Sequence, residues 1–400
     1  MRPQDRRTKV FREASAQAGR RSAGAIVALA PCMRAAFIVV IVAHGLLHLL
    51  GAAKGFGIGD LPQLTTPIGR GMGLLWLLAA VLMLASVVGF LTAPSWFWLV
   101  GAMAIVISQL AILTAWRDAR FGTIANGLLL IGVVYSFLAA GPGSLRREYR
   151  SAIREGLARP TGTRLVREEE LAPLPAPVQR YLRRVGAVGQ PHVVNYRLRF
   201  RGRIRSGPSA PWMPFTADQQ SFVAPPARLF FLHASMKHLP VDVFHDLVDG
   251  HARMRVRVAG VVSRVEASGA IMDRSEAVTL LNDLCFLAPP ALLDSALRWE
   301  AMDERSARAH FTSGTQTISA TLRFDAADHL VDFVSDDRSQ LSADGKRFTQ
   351  LRFTTPATDY RRFGPYLLAA RAEAHWHPQS GEFSYGEFEL VEAQFNVGAP

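Results

Sequence analysis

The chain has 400 residues, 49% of them hydrophobic and only 20% charged, a balance that excludes an intrinsically disordered protein. Its formal net charge of +12 is unevenly spread: residues 1–34 carry +6, 35–145 carry +2, 146–184 carry +5 and 185–400 carry −1. Basic charge that flanks an apolar region serves membrane topology and anionic headgroups; a nucleic-acid binder would place it on the folded domain instead.

Residues 1–34 read as a basic disordered tail. Its AGAIVALAPC segment resembles a short signal peptide ending in a lipoprotein-type cysteine. The apolar core is only about eight residues, however, and Pro31 stands where a small residue should precede Cys32. A start at Met33 is the alternative reading of this end.

Four uncharged apolar runs follow: Ala35–Ala53, Gly71–Leu91, Trp96–Trp116 and Thr123–Gly141. About 20 residues cross a hydrocarbon core as a helix, and backbone groups in lipid must bond internally, so residues 35–141 are expected to form a four-helix transmembrane bundle. Trp96, Trp98 and Trp116 bracket the third run as interfacial anchors. Four spans put both chain ends on one side. The N-terminal tail and Arg146, Arg147, Arg150, Arg154 and Arg159 share that side, against Lys54, Arg70, Arg117 and Arg120 opposite. The positive-inside rule then predicts a multi-pass inner-membrane protein with a cytoplasmic C-terminal domain and membrane lipids as its surroundings.

Polar residues inside the spans are costly in lipid and point to function or packing. His44 and His48, four apart, share a helix face. Gln109 and Asn126 fall at similar depth, and Asp118 lies just beyond Gln109 at the membrane edge. A layer of His44, His48, Gln109 and Asn126 capped by Asp118 is expected. Interhelical hydrogen bonding, a proton or ion path, and a metal or haem site all remain open for it. Packing is favoured because no second span carries a histidine and Asp118 is the only nearby carboxylate.

Residues 142–184 read as a basic amphipathic juxtamembrane helix and a Pro-rich linker, ending in a short helix from Pro177 to Arg184. From about residue 193 the hydrophobic period becomes two, which marks strands. The expected strands are 193–206, 216–223, 228–234, 241–248, 252–258 and 260–268, then 297–302, 306–313, 315–324, 330–335, 348–354, 360–363, 366–376 and 388–395. Turn pairs such as Asp249-Gly250 and Ser313-Gly314 join them as an antiparallel meander. Between the two groups, residues 272–287 read as a helix with Asp273 as N-cap, Glu276 completing a capping box, and Val278, Leu281, Leu284 and Cys285 on one apolar face. The fold class expected for residues 185–400 is therefore α+β: a large curved antiparallel sheet with a helix on its concave face. Val278, Leu281, Leu284 and Phe286 are expected to line a groove there for a lipid or other apolar ligand.

No catalytic constellation, metal site or cofactor motif is apparent. His245, Asp249 and His251 are expected to be solvated around a hairpin turn, and His375 and His377 to share a surface face of one strand, with Trp376 opposite. The arginine stripe Arg197–Arg205 reads as the solvated face of a strand. Cys32 and Cys285 are too few for a disulfide framework. The expectation is a protein that is not an enzyme, with a membrane-embedded redox or proton-handling role for His44 and His48, or a structural partner-docking role, as alternatives.

Several strings resemble a family of uncharacterised bacterial four-span membrane proteins: His44-Gly-Leu-Leu-His-Leu-Leu-Gly51, Trp116-Arg-Asp-Ala-Arg-Phe-Gly-Thr-Ile-Ala-Asn126, Leu174-Pro-Ala-Pro-Val-Gln-Arg-Tyr-Leu182 and Trp212-Met-Pro-Phe-Thr-Ala-Asp218. The resemblance runs from about residue 33 to the end and supplies no activity, because that family is a domain of unknown function. It implies a C-terminal β half-barrel that looks like those of lipoprotein carriers, which hold acyl chains and work outside the cytoplasm.

Overall fold

The computed structural model describes residues 33–398 except 60, 93, 159–163, 237–238 and 261; most of the expected basic tail, with Cys32, lies outside the described residues. The chain divides into two compact units, Met1–Ser144 and Leu145–Pro400.

In the first unit, helices α1 (Met33–Phe56), α2 (Arg70–Thr92), α3 (Pro94–Thr114) and α5 (Gly122–Ala140) are joined in part by the single turn α4 (Trp116–Ala119). Four helices of this unit are long and apolar enough to cross a membrane. Beside a core of Ile41, Met83, Phe97 and Leu129, many large apolar residues face outward and small ones inward. Leu46, Leu47, Leu74, Val81, Val106 and Ile131 are exposed, whereas Ala79, Ala80, Ser86, Ala104, Ser108 and Ala111 are fully buried. Outward-facing leucine and valine with small residues at the helix contacts are compatible with a lipid surrounding, which gives no reason to hide leucine.

The second unit begins with α6 (Leu145–Leu157) and α7 (Ala176–Arg184). Strands β1 (Asn195–Ile204), β2 (Met213–Phe222), β3 (Ala227–Met236), β4 (Leu239–Val248), β5 (His251–Val258) and β6 (Val262–Ser268) follow as hairpins. Helix α8 (Ala270–Leu287) intervenes. Strands β7 (Leu297–Asp303), β8 (Ser306–Ser313), β9 (Gln316–Phe324) and β10 (Leu330–Ser335) then lead to the small hairpin β11 (Ser339–Leu341) and β12 (Phe348–Gln350). The chain ends with β13 (Arg352–Thr354), β14 (Ala357–Phe363), β15 (Tyr366–His377) and β16 (Phe383–Phe395). The sheet order is β6-β5-β4-β3-β2-β1-β16-β15-β13-β10-β9-β8-β7, with β14 also on β15. Every pairing is antiparallel. The meander is thus broken at three places, where β1 meets β16, β15 meets β13 and β13 meets β10. Each expected strand has a counterpart, although 348–354 divides into β12, in the small hairpin, and β13, in the main sheet.

Strands β6 and β7 are the two edges of this path, and α8 is the chain that connects them. Thirteen strands at about 4.8 Å each would span roughly 58 Å if flat, while a helix of 18 residues measures about 27 Å. Helix α8 nevertheless touches β4, β5 and β6 at one end of the order and β8, β9 and β10 at the other. The sheet therefore curls around it. At one end the curl brings two hairpin turns together. A Cβ on Gly250, in the β4–β5 turn, would lie 2.8 Å from the Gly314 Cα in the β8–β9 turn. Both glycines have positive φ, 79° and 59°, so no other residue fits this close approach without strain.

Side-chain alternation on β3 divides the two faces of the sheet. Phe230, Leu232 and Ala234 turn toward the core under α8, while Leu229 and Phe231 turn to the opposite face and meet Tyr149 of α6. The apolar side of α6, expected at a membrane surface, instead lies on this outer face of the sheet. Its Glu148 is bonded to Arg255 and Arg253 of β5.

Helix α8 departs from expectation at its start. It begins at Ala270 after Gly269, with no side-chain cap, rather than at a capping box. Asp273 accepts the backbone N–H of Ala252 at 2.7 Å and ties the helix to β5. Tyr181 of α7 donates to the Cys285 carbonyl at 2.7 Å near the other end. Burial pushes the Cys285 thiol well up, so it behaves as a small core residue.

Candidate functional site

The concave side of the sheet and α8 enclose a cavity of about 440 Å³, within the roughly 300–1,000 Å³ of small-molecule sites. Its walls are mostly apolar, with Phe200, Leu232, Val243, Val256, Phe286 and Phe388 among the lining residues. Leu341 and Phe348 of the β11–β12 hairpin also line it. That hairpin is pinned to α8 by a hydrogen bond from the Ser339 N–H to Ser275 Oγ at 3.0 Å, and its tip glycine, Gly345, lies against Val265 of β6.

The face of α8 turned to the cavity is not the expected one. Of the four anticipated groove residues, only Phe286 lines the cavity; Val278, Leu281 and Leu284 are fully buried in the closed core. At 100° per residue, those three lie opposite the arc of Met272, Glu276, Thr279 and Asp283, which does face the cavity. The apolar stripe marks the side where packing is tightest, and the mixed side borders the open volume.

That mixed side carries a buried ionic cluster. Arg228 is 6% exposed and Glu276 only 1%. Arg228 Nη1 donates to Glu276 Oε1 at 2.7 Å and Nε to Asp283 Oδ2 at 2.6 Å. Gln219 Nε2 also donates to Asp283 Oδ2, at 2.8 Å. Burial alone would raise the Glu276 carboxyl, but His245 and Arg228 outweigh it and hold the group at about 2. His245 Nε2 lies 2.8 Å from Glu276 Oε2, yet off the axis of a hydrogen bond. His245 was expected in solvent; the period of β4 instead turns it to the cavity wall, while Asp249 and Gly250 make the turn, both at positive φ.

Further along the wall, Arg338 sits among aromatic rings, its Cζ 4.2 Å from the centre of Phe353 and 5.1 Å from that of Trp376. Nη1 donates to the Tyr385 hydroxyl at 2.5 Å. Trp376 lies opposite His375 and His377, as alternation requires. His375 bonds Glu373 at 2.9 Å and also Glu382, and His377 bonds Thr354 at 2.8 Å. On the outer surface, Arg201 and Arg203 pair with their direct cross-strand neighbours Glu389 and Glu387, which makes the arginine stripe a ladder of ion pairs.

In the helical unit the structure brings together His44, His48, Gln109 and Asn126, along with Ser108 and Thr123. Ser108 Oγ donates to Asn126 Oδ1 at 3.0 Å. With the one hydroxyl proton so placed, His48 donates from Nε2 to Ser108 at 2.8 Å, and His44 from Nε2 to Asn126 at 3.1 Å. Asn126 Nδ2 donates to Gln109, and Gln109 to Thr123. Asp118 takes no part in this network. It accepts the Thr66 N–H at 2.8 Å and the Thr65 hydroxyl at 2.7 Å, which hold its carboxyl at about 2 and fasten the α1–α2 connection. Among the described residues, no group of three or more His, Cys, Asp or Glu is placed to hold a metal ion.

Sequence reasoning missed Arg228, Asp283, Gln219 and Arg338. A signal existed for the first two. Arg228 is in phase with Phe230, Leu232 and Ala234 on the core face of β3, and Glu276 and Asp283 are seven apart on one face of α8.

No curated protein matches the chain. Three solved structures resemble it: a domain described as an outer membrane lipoprotein-sorting protein from Vibrio parahaemolyticus, a LolA superfamily protein from Nitrosomonas europaea, and a DUF1329 family protein from Desulfovibrio piger. Their identities are 10%, 11% and 12%, and their TM-scores 0.28, 0.26 and 0.28. The matches cover 51%, 55% and 56% of this chain and 86%, 94% and 94% of theirs, in the same order. A family of unknown function, DUF6544, matches residues 164–388. That stretch is more than half of the chain and holds nearly all of the cavity wall, so the chain belongs to DUF6544.

Proposed function

We propose that the β domain is a membrane-tethered binding module, not an enzyme, which holds a lipid acyl chain or a similar apolar molecule between α8 and the concave sheet. The cavity carries this reading. Its volume of about 440 Å³ and mostly apolar walls, formed by residues such as Leu232, Val243, Phe286 and Phe388, suit a drug-sized or acyl ligand. Apolar walls of this kind favour apolar guests. The positive charge flanking the spans supports a cytoplasmic position for the domain, with inner-leaflet lipids as the nearest source of ligand. The histidine network supports a packing role for His44 and His48, since its hydrogen bonds run through three helices and end on Thr123.

Native mass spectrometry of the full chain tests this reading against a cavity-filling Thr279→Trp variant. Thr279 lines the cavity from α8, so the indole occupies the ligand's place. The wild type is expected to carry a bound mass that the variant lacks. Identical bound masses in the two proteins would sink the proposal.

A further inference from the structure

We infer that Arg338 is the anchor for an anionic head, so that the ligand is an acyl chain bearing a carboxylate or phosphate; this rests on the apolar-ligand reading above. The cavity wall holds three carboxylates and three guanidinium groups, and all but one of these are engaged. Glu276 and Asp283 are bound by Arg228, and Glu373 by His375. Arg205 donates to the carbonyls of Ser384 and Pro208.

Arg338 differs. Among the described residues no carboxylate lies within ion-pair distance of it, and the one hydrogen bond of its guanidinium goes to the Tyr385 hydroxyl. Phe353, Trp376 and Tyr385 engage the cation through their π faces, which takes up none of its N–H groups. Of five guanidinium donors, four therefore have no protein acceptor in the described structure. A fork of in-plane donors is the geometry that matches carboxylate and phosphate oxygens. The rings fix the guanidinium in place, and Tyr385 stacks on Trp376 at 5.4 Å, so the head site is rigid before a ligand arrives.

The test uses photoactivatable, clickable palmitic acid, its methyl ester, and a phosphatidylglycerol carrying the same chain. Each is cross-linked to the full-length protein in amphipol, and labelled peptides from the cavity wall are quantified. The acid or the phosphatidylglycerol is expected to label the wall about tenfold more than the ester, the scale of a charge-assisted hydrogen bond. The Arg338→Gln variant should lose that preference while its ester labelling is unchanged, and Arg338→Lys should keep part of it. Preference for the acid identifies a carboxylate head, and preference for the phosphatidylglycerol a phosphate head. Equal wall labelling by all three probes in the wild type, or a preference that survives Arg338→Gln, would overturn the anchor and leave the apolar cavity standing. Absence of wall labelling by every probe would instead defeat the apolar-ligand reading.

Discussion

Arg228 shows how a charge can sit inside a β domain. It is buried against two carboxylates from one helix face, at 2.7 and 2.6 Å, and removing it strands both. Truncating one partner of such a buried cluster destabilises by about 3–5 kcal/mol. Arg228→Met should therefore lower the urea midpoint sharply, and the triple variant with Glu276→Gln and Asp283→Asn should recover most of the loss. The same cluster fixes an acid response. The folded Glu276 carboxyl titrates at about 2 against an ordinary 4.5, so its contribution is complete above 4.5 and is lost as pH falls from there toward 2. Denaturation followed by circular dichroism across that window should show a falling midpoint, with a shallower fall in Glu276→Gln. The charges were legible as in-phase exceptions to an apolar pattern, but their pairing was not, because strand period says which face a residue takes and not what it meets there. His245 was misread for the converse reason: its neighbours Asp246 and Asp249 suggested a solvated turn, and only the register of β4 turns it inward.

Among the elements, the strands were the most legible. Each alternating run became a strand because one face of the sheet is buried and any slip would expose it. The exceptions are β11, whose three residues are too short to show a period, and the run 348–354, expected as one strand, which divides into β12 and β13. Helix α8 was located correctly and turned the wrong way round, since its cavity-facing arc carries Glu276 and Asp283 and looks, on sequence alone, like a solvent face. The β11–β12 hairpin lines the cavity and is tied to α8 by the Ser339–Ser275 bond. Ser275→Ala should raise amide hydrogen exchange in residues 339–350 at least several-fold, while β1 and β16 stay protected. Unchanged exchange in that hairpin would mean that side-chain packing, not this bond, holds it down.

For the whole molecule, the division into apolar helices and a β domain follows from hydropathy and charge, and the cytoplasmic side proposed for the β domain rests on arginine placement. A single cysteine at the exposed Ser380, in a Cys32→Ser background, checks that side; Cys285 is fully buried and silent. An impermeant maleimide should label it only after lysis, and labelling of intact cells would place the domain outside the cytoplasm. The strand order was not legible. Local turns dictate hairpins, but the pairing of β1 with β16 joins residues some 190 apart and is set by closure of the whole sheet. That closure makes the β4–β5 and β8–β9 hairpins, which belong to opposite halves of the sheet, touch through Gly250 and Gly314 with no side chain between them. The curled sheet is thus closed at one rim by two turns in backbone contact. Because the two backbones already touch, the bore cannot narrow further at that end, so the contact sets a lower limit on the girth of the cavity.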